Sequence, residues 1–142
     1  MTNKKDVQTV VVIGAGIMGR GIAHVAAMGG LSTVLNDVSG DLLQKALGHI
    51  RRDLEKGVEI GKVPKSGMDE TLSRLTLETN LERAAGKADL IIEAVPENIE
   101  VKLNLFAELD RFCAAHAVFA SNTSALSITE MAGATRRANQ FI

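Results

Sequence analysis

The amino-acid sequence is poor in several residue types, and their scarcity excludes whole classes of protein. Its 142 residues contain one cysteine, two prolines, and neither tryptophan nor tyrosine. The single cysteine, Cys113, cannot form a disulfide within the chain, and a lone thiol does not make a metal site. We therefore expect a small buried cysteine, no bound metal and a reducing, cytoplasmic location.

The chain also lacks an excess of charge of one sign and a long hydrophobic run. Sixteen basic and 17 acidic residues give a formal net charge of −1, so no overall field attracts nucleic acid or a membrane surface. No apolar run approaches the roughly 18 residues that cross a bilayer, and the first residues resemble no targeting leader. With 46% hydrophobic residues, the composition is that of a single globular domain.

The most informative segment is residues 9–19, a β-branched strand followed by a glycine-rich turn and the start of a helix. Gly14, Gly16 and Gly19 have the spacing G-x-G-x-x-G. The first glycine permits a tight turn, the second lets the backbone approach a pyrophosphate, and the third lets the helix pack closely on the strand. The first helical N–H groups, around Ile17 and Met18, would face the diphosphate.

An acidic residue follows the second predicted strand, as dinucleotide binding requires. Asp37 comes 18 residues after Gly19, where a carboxylate accepts hydrogen bonds from adenosine ribose hydroxyls and repels a 2′-phosphate. We therefore predict a dinucleotide site that prefers NAD(H) to NADP(H). A glycine turn with a chance aspartate is the alternative interpretation.

The remaining pattern alternates strands and helices. We predict helices over residues 17–28, 40–56, 68–74 and 99–115, strands over 32–36, 75–78, 90–95 and 118–121, and the start of a sixth strand at 140–142. This alternation predicts an α/β, Rossmann-type doubly wound, mostly parallel sheet. The segment between the second and third strands is longer than one crossover helix needs, so we expect a helical arm inserted there.

Residues that follow the fourth and fifth strands would lie at the ligand-binding edge of such a sheet. Glu97 and Lys102 follow one strand, and Asn122 and Ser124 follow the other. Their positions fit contacts with the nicotinamide half of the cofactor and with a substrate carbonyl. An ordinary solvated ion pair and a helix-capping turn explain the same positions equally well.

Three separated motifs, residues 11–23, 91–102 and 119–130, closely resemble the NAD-binding half of the L-3-hydroxyacyl-CoA dehydrogenases, which include 3-hydroxybutyryl-CoA dehydrogenases. The resemblance implies a NAD-binding domain over residues 1–142, with Glu97 and Lys102 as cofactor contacts. It implies that Ser124 is a catalytic serine near both nicotinamide and substrate, and that Asn122 lines the acyl-CoA site.

The same resemblance implies that the helical arm lies along coenzyme A and that the longer parent is a homodimer. Lys56, Lys62 and Lys65 are candidates for the CoA phosphates, whereas Asp53 stands where family members often have a serine. The family's general base is a histidine in a motif expected after Ile142, followed by a mostly helical domain. His24, His49 and His116 do not fit that role, so we expect negligible turnover from these residues alone.

Three further alternatives stay open. Another Rossmann dehydrogenase acting on 3-hydroxy acids would share the first motif, but it would not be expected to have the second and third motifs or the arm. A stand-alone NAD-binding module would bind the cofactor without catalysis, and a purely structural protein would ignore dinucleotides.

Overall fold

A computed structural model describes residues 6–142 as one five-stranded sheet with helices on both faces. The elements are β1 (Thr9–Ile13), α1 (Ile17–Met28), β2 (Ser32–Asn36), α2 (Gly40–Glu59), α3 (Lys65–Ser73), β3 (Leu75–Glu78), α4 (Leu81–Ala85), β4 (Leu90–Glu93), α5 (Ile99–Phe112), β5 (Val118–Ser121), α6 (Ile128–Gly133) and a 3₁₀ turn (Ala138–Gln140). Residues 1–5 of the predicted domain lie outside the described residues.

The strand order is β3-β2-β1-β4-β5, and all four neighbouring pairs are parallel. The chain therefore winds outward from β1 in both directions, and the order reverses between β1 and β4. In an open parallel sheet, ligands bind beyond the carboxyl ends of the strands at this reversal. The predicted Rossmann-type fold is confirmed.

Alternate residues of the central strands supply the two cores. Val10, Val12 and Leu35 pack with Ala23 and Leu43 beneath α1 and α2. The residues between them in the strands point the other way and pack against α5 and α6, where Phe106, Phe119 and Phe141 meet with ring centroids 4.5–6.2 Å apart. This division follows from the two-residue period of a strand.

The segment between β2 and β3 folds into α2 and α3, as the predicted helical arm requires. With 20 residues, α2 is about 30 Å long, whereas the five-residue strand β2 is about 17 Å long. Its second half has a small core of its own, in which Ile50 and Leu54 pack on Met68 of α3. The arm therefore has a small apolar core of its own, which Leu75 at the start of β3 also contacts.

Several predicted boundaries were wrong by a few residues. Helix α2 continues to residue 59 instead of 56, α3 begins at residue 65 instead of 68, α5 ends at residue 112 instead of 115, and β4 ends at residue 93 instead of 95. Helix α4 was not predicted. At the predicted sixth strand, residues 140–142, the structure has an isolated parallel bridge between Phe141 and Phe119 at the free side of β5. Gln140 belongs to the 3₁₀ turn instead.

A buried ion pair ties the last described residues to α5. Arg137 donates from Nε to Asp110 Oδ1 over 2.6 Å, and its remaining nitrogens donate to main-chain carbonyls that include Ala114 O at 2.7 Å. Its guanidinium also lies over the Phe119 ring, 4.6 Å from the centroid. Every hydrogen-bonding direction of this buried cation is used, so its burial is compensated.

Candidate functional site

The principal crevice lies at the carboxyl edge of the sheet, where the strand order reverses. It has a volume of about 820 Å³. Most of the predicted site residues meet there: the lining includes Gly14, Gly16, Ile17, Met18, Asp37, Glu97, Asn122 and Ser124. The topology places them together because each follows the carboxyl end of a parallel strand.

The three glycines of the turn are required for different structural reasons. Gly14 has φ +104°, and a Cβ there would lie 2.6 Å from Ala94 O. A Cβ on Gly19 would lie 1.7 Å from Gly14 O, so α1 packs on the turn only without a side chain. A Cβ on Gly16, by contrast, would meet nothing within 4 Å. The fold therefore explains Gly14 and Gly19, and Gly16 leaves open space on the crevice side.

The amino end of α1 faces this space without a side-chain cap. Gly16 is the N-cap residue, and within residues 6–142 the structure has no side-chain cap on this helix end. The first N–H groups of a helix have no partners within it, and the helix dipole adds partial positive charge there. Such an end favours an anion, and a diphosphate fits the uncapped turn and the vacant volume beside Gly16.

Asp37 lies at the end of β2 and is held against the glycine turn. Its Oδ2 accepts from Ala15 N over 2.9 Å, and its Oδ1 accepts from Ser39 N over 3.0 Å. Each carboxylate oxygen can accept a further hydrogen bond, so these contacts orient the group and leave capacity for ribose hydroxyls. A second cavity of about 580 Å³ adjoins Asp37 and is lined by Val38, Leu81 and Leu105 among others.

Glu97 and Lys102 form an ion pair at the opposite end of the crevice. The Glu97 side chain is half exposed, whereas Lys102 is 1% exposed and does not line the crevice. The hydrogen bond from Lys102, and a second from Thr123, lower the pKa of the Glu97 carboxyl. Glu97 therefore presents a carboxylate to the crevice with Lys102 behind it. Direct contact between Lys102 and a cofactor stays a prediction.

The predicted CoA-binding lysines lie elsewhere. Lys56 is in the last turn of α2, and Lys62 lines a separate cavity of about 440 Å³ next to Gly29 and Gly30 at the far end of α1. Since α1 has 12 residues, Lys62 is separated from Gly16 by about 18 Å of helix. Only an extended ligand would contact both Lys62 and Ser124.

None of the three histidines lines the crevice. His24 is in α1, where burial lowers its pKa against a smaller opposing effect of Asp53. His116 Nε2 contacts Asp89 Oδ1 over 2.7 Å before β5, at the amino end of the sheet. His49 lies on α2 beside Arg52.

Within residues 6–142, no cluster of His, Cys, Asp and Glu has an arrangement that would hold a metal ion, and no helix has the length and apolarity to span a membrane.

Glu93 was not among the predicted site residues, because it lies within the apolar run that was assigned to the fourth strand. This carboxylate is completely buried and lies 3.0 Å from Lys102 Nζ. A charge is retained in such a strand only when it is paired. The sequence offers one hint, a single acid within an apolar strand, but it does not show which cation pairs with that acid.

An open parallel sheet with a glycine turn, an acid directly after the second strand and an uncapped helix end is typical of the class of dinucleotide-binding Rossmann domains. Within this class, a family model described as "3-hydroxyacyl-CoA dehydrogenase, NAD binding domain" matches residues 9–142. The chain belongs to this family, and NAD is its cofactor.

Individual relatives agree with this assignment. The chain is 43% identical over 140 residues to the mitochondrial hydroxyacyl-coenzyme A dehydrogenase of Sus scrofa, covering 95% of this chain and 45% of the relative. It is 43% identical over 136 residues to the 3-hydroxybutyryl-CoA dehydrogenase of Bradyrhizobium diazoefficiens, covering 96% and 46%. The crystal structure of an Escherichia coli K12 3-hydroxybutyryl-CoA dehydrogenase superimposes with a TM-score of 0.93 at 40% identity, covering 96% of this chain and 29% of that one. The chain thus spans less than half the length of these relatives.

Proposed function

We propose that this chain is the cofactor-binding part of an enzyme that oxidises L-3-hydroxyacyl-CoA, such as 3-hydroxybutyryl-CoA, to 3-ketoacyl-CoA in fatty-acid metabolism. The observation that carries the proposal is the crevice in which the glycine turn, Asp37 and the Asn122–Ser124 loop converge. The names of the relatives support the substrate class.

The order of groups along the crevice supports one orientation of the cofactor. Asp37 would accept from the adenosine ribose, and the cavity beside it offers apolar walls for adenine. The diphosphate would lie at Gly16 and the first N–H groups of α1. The nicotinamide half would then reach Glu97 and Ser124. Bound NAD supplies a hydride acceptor for the oxidation of a secondary alcohol.

The residues of this chain would bind and orient in that reaction. The exposed Ser124 hydroxyl can donate to a substrate or nicotinamide oxygen, and the Asn122 amide can hold the acyl-CoA beside it. The family resemblance implies an imidazole as the proton acceptor, and because none of the three histidines lines the crevice, we propose that none of them has this role. Lys56 and Lys62 would contact the phosphates of an extended CoA along the arm.

Assembly and location also belong to the proposal. We propose a homodimeric parent with no nucleic-acid or membrane partner, on the basis of the family resemblance and the balanced charge. A cytoplasmic location is consistent with the single cysteine. The Sus scrofa relative is mitochondrial by name, so fractionation of the native protein decides between the two compartments.

A titration of NADH and NADPH into the chain tests the cofactor site, with NADH emission as the signal because tryptophan and tyrosine are absent. The wild type should bind NADH and prefer it to NADPH. Replacing Asp37 by asparagine keeps an oxygen that can accept from Ala15 N. The ribose hydroxyls would then donate to a neutral amide oxygen instead of a charged carboxylate. NADH should bind about tenfold more weakly. The ratio of the NADPH to the NADH dissociation constant should fall, because no carboxylate remains to repel the 2′-phosphate.

The control is Asp69→Asn, which removes the same charge from an exposed position on α3. It should leave both affinities unchanged. A folded wild-type chain that binds neither nucleotide would contradict the proposed function. Efficient oxidation of 3-hydroxybutyryl-CoA by these 142 residues alone would contradict the assignment of the general base.

A further inference from the structure

The carboxyl end of β4 carries a buried charge that the fold alone does not require. Glu93 is 0% exposed and Lys102 is 1% exposed, and their charged atoms lie 3.0 Å apart. Burying an ion pair costs much of the energy that its attraction returns, and apolar residues of similar size often serve stability as well. The pair is therefore a candidate for a role in the crevice beside it.

Glu93 contacts three separate segments around that crevice. Its Oε2 accepts from Val95 N over 2.8 Å, which fixes the turn that leaves β4. Its Oε1 accepts from Ser121 Oγ over 2.5 Å at the end of β5. Its main-chain oxygen accepts from Asn122 N over 2.8 Å. One residue thus holds the β4 turn, the β5 turn and, through Lys102, the first part of α5.

Lys102 connects this buried centre to the crevice surface. Its ammonium also contacts Glu97 Oε1, and Glu97 Oε2 accepts from Thr123 Oγ1 over 2.7 Å. Glu97 is half exposed and lines the crevice. Two carboxylates share one ammonium, so the group carries one net negative charge, and its exposed member faces the end of the crevice opposite Asp37.

We propose that Glu93 is a positioning residue for the nicotinamide half of the cofactor, and this inference rests on the proposed function. Glu93 fixes the Lys102 ammonium, which holds the Glu97 carboxylate where it accepts from the hydroxyls of the nicotinamide ribose. Glu93 itself does not touch the cofactor. Its effect is confined to ligands that reach Glu97.

The test compares NADH with ADP, which has the adenosine and diphosphate but no nicotinamide ribose. In Glu93→Gln the amide can still accept from Val95 N, but it no longer neutralises Lys102. The dissociation constant of NADH should rise about tenfold, which corresponds to about 1.4 kcal/mol. The dissociation constant of ADP, measured by displacement of NADH, should change less than about twofold. A merely structural role would weaken both ligands together.

Asp110→Asn is the matched control, because it breaks a buried ion pair near the other end of β5. It should lower the melting temperature and leave both affinities unchanged. If Glu93→Gln does not fold, the double variant E93Q/K102M replaces it, since it leaves no unpaired charge in the core. The double variant should recover stability and still bind NADH about tenfold more weakly, with ADP unaffected.

The inference is overturned if Glu93→Gln, or the double variant in its place, binds NADH as the wild type does or loses ADP in the same proportion. A wild-type chain that binds ADP but not NADH also overturns it, while leaving the adenosine site intact. A wild-type chain that binds neither refutes the proposed function, and the inference falls with it.

Discussion

A substitution at Gly16 should weaken cofactor binding without changing the stability of the fold. A Cβ at Gly14 or Gly19 would collide with the main chain, whereas a Cβ at Gly16 meets only open space in the crevice. Its φ of −72° is accessible to alanine. Gly16→Ala should therefore fold, and its methyl group should occupy the volume that we assign to the diphosphate.

Two opposing effects of Gly16→Ala on the free energy of unfolding should nearly cancel. Alanine restricts the unfolded chain, which stabilises by about 0.4–1 kcal/mol, but it is a poorer N-cap than glycine by a similar amount. The melting temperature should change little. Displacing the diphosphate from one N–H group removes a charge-assisted hydrogen bond of about 1.5–3 kcal/mol, so the NADH dissociation constant should rise about ten- to a hundredfold.

The assay is an NADH titration of Gly16→Ala beside Gly21→Ala. Gly21 lies on the same helix, and a Cβ there also meets nothing within 4 Å. Gly21→Ala should stabilise the helix by about 0.5–1 kcal/mol and leave NADH binding unchanged. Equal NADH affinity for the two variants would refute the placement of the diphosphate at the glycine turn.

The remaining predictions concern the core. Burial alone would raise the pKa of Asp110, but hydrogen bonds from Arg136 and Arg137 outweigh it and lower the pKa. The stabilisation is therefore present above the unfolded carboxyl pKa of about 3.9 and is lost as pH falls through the folded value. Asp110→Asn should cost about 3 kcal/mol at pH 7, and melting curves should show the difference from wild type shrinking in acid; a constant difference would refute the ion pair's contribution. Burial raises the pKa of the Cys113 thiol to about 11, so at pH 8 a thiol reagent should label it only after the addition of denaturant, and rapid labelling of the native chain would contradict this.

Much of the fold was predictable because strong local signals agreed with one another. β3 and β5 were predicted with the bounds that the structure has. The end of β4 was predicted two residues too late, because apolar residues continue to position 95. In the structure, Val95 N donates to the Glu93 carboxylate and the chain turns there. Helix α4 was missed since five residues give no periodicity, and its signal is only the Asn80 cap.

The site was predictable in its exposed part and not in its buried part. Gly16, Asp37 and Ser124 were predicted because motifs place them directly after strands, and the structure brings them together in the crevice. Their contacts with a ligand stay predictions. Glu93 was not found, because its function depends on a lysine that an α-helix brings back from nine positions further along the chain. Such a pairing exists only once β4 and α5 are packed, so no local pattern contains it.

The hydrogen bond between Asp37 and Ala15 N has a consequence for protein engineering. A common route to a new cofactor preference is to replace the ribose-binding acid with a small or basic residue. In this chain the Asp37 carboxylate also accepts from Ala15 N in the glycine turn, so that exchange would also release the backbone to which we assign the diphosphate. Redesign for NADPH would need a new acceptor for Ala15 N. Position 37 and the residue that supplies this acceptor would therefore have to be changed together.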